Sequence, residues 1–130
     1  MGILAVIVAA VAGFAFGAVW YMTLQKPWVE ASGIEVNDKG QPVDASATPF
    51  IMAGIAMLLV AGMMRHTFAL SGIDTLGEGL KSGFGIGLFF ISLWIMINNG
   101  YGRRPFKLTV IDSGYATFGC AIMGTVLTLF

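Results

Sequence analysis

Four stretches of predominantly apolar residues, about 2–24, 49–70, 76–98 and 109–130, fill most of this chain. Each is close to the roughly 20 residues that a helix needs to cross the hydrocarbon of a bilayer. Hydrocarbon offers no water to backbone amides and carbonyls, so a chain that crosses it must be helical or a closed barrel. Barrel strands are written as alternating polar and apolar residues between turns, and that pattern is missing here. The expected fold is all-α: an integral membrane four-helix bundle forming one transmembrane domain over 1–130. Its connections are short, apart from one polar loop, 25–47, between the first and second helices.

Composition narrows the function classes. The chain is 57% hydrophobic and only 11% charged, where soluble domains carry about a quarter charged residues. A formal net charge of zero gives no field for nucleic acid. The single cysteine, Cys120, excludes an intrachain disulfide or a thiolate cluster, and the single histidine, His66, cannot build a zinc site alone. No nucleophile stands with a base and no carboxylates are paired at one depth, so neither an enzyme nor a cofactor is expected. The first apolar run follows no Lys or Arg and is longer than a signal-peptide core, so it reads as a retained span. Met1-Gly2 does not start a myristoylation motif, because position 6 is Val.

The ends of the spans carry their own signals. Gly13 and Gly17 share one face of the first helix, Trp20 and Tyr21 suit the depth where hydrocarbon meets headgroups, and Lys26-Pro27 should end the helix. The polar stretch that follows holds Glu30, Glu35, Asp38, Lys39 and Asp44, with turn residues at Asn37 to Gly40. Ile34 to Val36 and Gln41 to Val43 are candidates to pair across that turn, although Pro42 works against it. Thr48 before Pro49 is the expected cap of the second helix, which should stop at Ser71-Gly72. Thr75-Leu76-Gly77-Glu78 is a capping box for the third. Asp112 is the expected cap of a fourth helix that starts at Ser113.

Lys26, Lys39, Arg103, Arg104 and Lys107 lie in the first and third loops, against Arg65 and Lys81 beside the second. The positive-inside rule then puts loops 25–47 and 100–108 in the cytoplasm and both termini outside. Arg65 and His66 are placed to pair with Asp74 or Glu78 across the second loop.

Gly17-Ala18-Val19-Trp20-Tyr21, Lys26-Pro27-Trp28, Gly33, Arg104-Pro105-Phe106-Lys107-Leu108, Ile111-Asp112 and Gly114-Tyr115 together resemble the bacterial family called domain of unknown function 1761. The resemblance covers nearly the whole chain. It implies a small four-helix protein of the bacterial inner membrane, whose first helix ends in Gly-x-x-Trp-Tyr and whose last is entered through Arg-Pro and an Asn-x-Gly-Tyr-like segment. It implies no reaction. Two positions depart from the pattern: Met22-Thr23 replaces a Ser-Pro pair, and Asp112 replaces Asn.

Two constellations stand out. Trp20, Tyr21, Trp28, Asn98, Asn99, Arg104, Asp112 and Tyr115 should reach one membrane face, where they form either a pocket for a small ligand or lipid headgroup or an ordinary interfacial belt. Gly79, Gly83 and Gly87 make a ridge that continues through Phe90 and Trp94 to Asn98, and Ala116, Cys120 and Gly124 make a second one. With Gly13 and Gly17, these small residues are the expected faces for helix packing or oligomerisation. The expected partners are the lipid bilayer and either further copies of the chain or a larger membrane-protein complex. The chain thus reads as a structural or interaction protein. The alternative is a small dimeric transporter or binder of amphipathic molecules or lipid, since length and span number resemble the small multidrug resistance transporters. Those rely on a Glu in the first helix, and residues 3–24 here contain no carboxylate.

Overall fold

The computed structural model describes residues 2–40, 42–43 and 46–130. Met1, Gln41 of the expected second extended piece, and Asp44 of the polar stretch lie outside these residues. Helix α1 spans Ile3–Thr23. It breaks at Leu24, earlier than the Lys26-Pro27 stop, and resumes as α2, Gln25–Ser32. The cause is still Pro27: it has no N–H for the Thr23 carbonyl four residues back, and its ring crowds that carbonyl. Leu24 N–H closes α1 on the Trp20 carbonyl at 2.9 Å. The polar stretch therefore begins as a short helix, which ends at Gly33 with φ 72°. Of the expected hairpin, one antiparallel bridge between Val36 and Pro42 is present.

Helix α3 spans Thr48–Ser71. Thr48 is not its cap. Thr48 already belongs to the helix and Ala47 ahead of it is also in the helical region, so the Thr48 hydroxyl no longer precedes the free amides. The Ser46 hydroxyl instead accepts the Thr48 N–H at 3.4 Å. Gly72, with φ 69°, stops the helix in the left-handed conformation that favours glycine.

The third span is one run in three parts: α4 at Leu76–Gly85, a π-helix at Ile86–Ser92, and α5 at Leu93–Tyr101. Both halves of the capping box form, with Glu78 N–H on the Thr75 hydroxyl at 3.2 Å and Thr75 N–H on the Glu78 carboxylate at 3.3 Å. That carboxylate is held at its own helix start by Thr75. Helix α6 spans Phe106–Thr128. Asp112 is consequently well inside the helix and caps nothing. Arg103, at φ 55°, turns the chain, and Pro105 feeds the helix from an extended conformation several residues before Asp112.

These four spans are each long and apolar enough to cross a membrane. Helix α6 is the hub: α1 packs along one side of it and the whole α4–α5 run along another, while α3 leans mainly on α1. The close approach of α4 to α6 is built on glycine. A Cβ placed on Gly79 would sit 2.5 Å from the Gly124 carbonyl oxygen, and one on Gly83 or Gly87 would collide with the carbonyls of Cys120 and Ala116. The small-residue ridges of the third and fourth spans thus face each other within one chain. Phe90 and Trp94 do not continue the ridge: they are 70% and 67% exposed. The π turns add residues per turn, so the face that carries Gly79, Gly83 and Gly87 rotates away before residue 90. On the far side, Ala5, Val6 and Ala9 of α1 bury against Ala61, Met64 and Phe68 of α3, with Met123 and Leu127 of α6 completing the core.

Candidate functional site

The break at Leu24 sets the geometry of the site. It leaves Trp20 and Tyr21 on the last turn of α1 and carries Trp28 back over them on α2. The Tyr21 hydroxyl donates to an Asp112 carboxyl oxygen at 2.6 Å. The Trp28 indole stands edge-on to Tyr21, with ring centroids 6.0 Å apart, and faces the same carboxyl. Tyr115, one turn further along α6, meets Tyr21 edge to face at 5.4 Å. Its hydroxyl reaches the Gly13 carbonyl at 3.3 Å and the Met57 sulfur at 3.4 Å. Gly17 makes room for it, since a Cβ there would be 2.7 Å from the Tyr115 ring.

Trp20 binds α6 differently. Its indole N–H donates to the Ile111 carbonyl at 2.9 Å, and its ring lies flat enough on α6 that a Cβ on Gly114 would be 2.5 Å away. An Ile111 carbonyl inside a helix already has a backbone role, so this is a second bond to one oxygen, of the kind that pins a side chain at membrane depth.

Five of the eight expected pocket residues, Trp20, Tyr21, Trp28, Asp112 and Tyr115, therefore come together on the α1–α6 seam. Arg104 flanks them, donating to the Ser32 carbonyl at the end of α2 at 2.6 Å, where a cation also suits the helix dipole. Asn99 turns away to the Thr109 hydroxyl at 3.1 Å and ties α5 to α6. Asn98 is exposed, and its backbone carbonyl accepts the Gly102 N–H. The π turns that displace Phe90 and Trp94 displace Asn98 with them. Sequence reasoning missed Gly114 as a site residue, whose place is three residues after Ile111, the residue whose carbonyl takes the Trp20 N–H, and it missed α2 as the element that delivers Trp28.

A second polar cluster lies in the span itself. The Ser92 hydroxyl donates to the Gly87 carbonyl at 2.6 Å and stands 3.1 Å from both the Ser113 carbonyl and the Thr117 hydroxyl. Gly87 and Ser92 are five apart, the π-helical spacing, so the hydroxyl bonds across the very turn that has widened. Among the described residues, no three His, Cys, Asp or Glu side chains are grouped to share a metal ion.

An α-helical chain with four membrane-spanning helices, joined by an aromatic and carboxyl seam at one end, is a multi-pass membrane protein. It belongs to the family described as protein of unknown function (DUF1761), whose profile matches residues 4–128. No curated protein and no solved structure matches the chain.

Proposed function

We propose that this is a non-catalytic protein of the bacterial inner membrane that self-associates or docks as an interaction subunit in a larger membrane assembly. The observation that carries this reading is the contrast between its seams and its edge. Along the α1–α6 seam the polar side chains answer one another: Tyr21 with Asp112, Trp20 with Ile111, Tyr115 with Gly13. Helix α3, by contrast, is held from one side, and Phe50, Ile51, Met52, Ile55 and Leu59 are exposed along it. The excess of Lys and Arg in the first and third loops supports an orientation with 25–47 and 100–108 in the cytoplasm and both termini outside.

The test is purification from native nanodiscs with the mass of everything retained. A further copy or a larger protein should stay bound, and Ile55→Trp with Leu59→Trp should release it without melting the fold. A lone chain that retains nothing of the kind sinks the proposal.

One observation favours the second reading, a small transporter or binder of amphipathic molecules. Asp112 is a carboxyl within a span whose neighbours are neutral donors, Tyr21 and Trp28, instead of a cation. Under that reading Asp112→Asn abolishes coupled transport; under the first it leaves the assembly intact.

A further inference from the structure

The third span changes register partway along its contact with α6. Upstream, Gly79, Gly83 and Gly87 meet α6 at the four-residue spacing of an α-helix. Downstream, the side chains bonded to α6 are Ser92, five residues after Gly87, and Asn99, seven after Ser92. The π turns at Ile86–Ser92 take up the one residue that separates these two patterns. With an unbroken α-helix from Gly87, the same face would instead carry Ile91, Trp94 and Asn98, each one position before Ser92, Ile95 and Asn99.

The side chains suit both patterns. Asn99 donates its amide to the Thr109 hydroxyl at 3.1 Å, and the residue that a one-position slip brings there, Asn98, is also an asparagine. It can make the same bond. The Ser113 hydroxyl, one turn along α6 from Thr109, is buried and has no hydrogen-bond partner among the described residues. Ser92 meets the Ser113 carbonyl and Asn99 meets Thr109, so Ile95, between them in sequence, stands at the level of that hydroxyl. An isoleucine offers it nothing. The slip puts Trp94 at this level, and an indole N–H is a donor. Against these gains stands one loss: Ser92 gives up the Gly87 and Ser113 carbonyls and the Thr117 hydroxyl, and Ile91 takes its place.

We propose that the third span is a two-register switch on α6: the π register described above, latched by Ser92, and an α register slipped by one residue, in which Asn98 and Trp94 face α6. The slip needs little room. It exchanges π turns for α turns within one helix, and the displaced residue passes into the connection at 100–103. Gly100 has open space around it there, and Arg103 already stands at φ 55°. Helix α4 stays fixed on its glycines throughout. Phe90 and Trp94, 70% and 67% exposed in the π register, turn toward α6, so α5 changes the surface it shows to its surroundings without unpacking the bundle.

The full chain, labelled with 5-fluorotryptophan and held in nanodiscs, is read by fluorine NMR with saturation transfer; Trp94 is assigned by the signal lost in Trp94→Phe. The wild type should show a main Trp94 signal in exchange with a weaker one. Ser92→Ala releases the latch and should raise the ratio of weaker to main signal about fivefold or more. Asn98→Leu changes an exposed side chain in the π register but leaves Thr109 unpaired in the α register, and should lower the ratio roughly threefold. Deleting Phe89 removes the extra residue, so that one α-helix presents Gly87, Ser92 and Asn99 together, and the weaker signal should vanish. A single Trp94 signal without saturation transfer in both the wild type and Ser92→Ala overturns the proposal. So does a weaker signal that persists in the folded deletion variant. If the deletion variant does not fold, Asn98→Leu decides: a lowered ratio supports the switch, and an unchanged one overturns it.

Discussion

The Tyr21 hydroxyl donates to the Asp112 carboxyl at 2.6 Å across ninety-one positions of sequence. This bond joins the last turn of α1 to the second turn of α6, and it sits just inside the break at Leu24. Tyr21→Phe removes the donor and leaves the carboxyl to Trp28. Interhelical hydrogen bonds in membranes contribute about 0.6 kcal/mol on average and up to about 1.7, and a cost in that range is expected. Asp112→Asn keeps an acceptor for Tyr21 and should cost less than Asp112→Leu, which orphans the hydroxyl. Thermal unfolding in one detergent, run as a double-mutant cycle, reads the coupling directly; additive effects would show that the pair is a bystander.

The α4–α6 contact makes a steeper demand. Leucine at Gly83 or Gly87 must push backbone away from backbone, because what a Cβ meets there is the carbonyl of Cys120 or Ala116 and not a movable side-chain tip. Overpacking of this kind costs about 1–3 kcal/mol or more. Gly83→Leu and Gly87→Leu should lower the melting temperature sharply, whereas Gly85→Leu, which faces open space, should change it little.

Trp20 has two separable roles. Trp20→Phe deletes the bond to the Ile111 carbonyl but keeps a ring over Gly114, so a loss of roughly 1 kcal/mol is expected. Gly114→Leu, in contrast, would displace the ring. Tryptophan fluorescence should then shift to the red as the indole moves from the seam, and an unshifted spectrum would contradict the placement.

Ser92→Ala tests what holds the π turns. The hydroxyl bonds across them to Gly87 and reaches Ser113 and Thr117 on α6. Without it the buried Thr117 hydroxyl and the Gly87 carbonyl lose a partner, and destabilisation of about 1–2 kcal/mol is expected. Ser92→Thr should recover part of it. Amide hydrogen exchange of 86–92 should accelerate in Ser92→Ala more than that of α4.

The spans, the Thr75–Glu78 capping box and the Gly72 stop could be read from sequence because each is local. A bilayer permits helices, a Thr and a Glu three apart close a reciprocal cap, and a glycine can turn left-handed. The glycine ridge was legible as a packing face, but only the structure supplies its partner in α6. What escaped depends on contacts far apart in sequence or on competing local choices. Asp112 has the side chain of a cap, yet Pro105 begins the helix first, which leaves the carboxyl free for Tyr21. Asn98 and Trp94 were assigned by counting α-helical turns, and the count fails across Ile86–Ser92, where Ser92 is anchored to a different helix. Helix α2 is short and has Pro27 in its first turn, so no periodic apolar pattern announces it.

That α6 is the hub has a consequence for the order in which the protein is made. Chains emerge N-terminus first, and α4 to α5 find their packing surface on a helix that leaves the ribosome after them. Until then, α1 and α3 can pair through Ala5, Ala9 and Ala61, while the third span waits in lipid with its glycines uncovered. Maturation therefore completes late and in one step: the arrival of α6 covers those glycines, seats the tyrosine on its aspartate and satisfies Ser92 together. A translation arrest placed within α6 should leave three inserted helices, of which two are packed and one is still unattached.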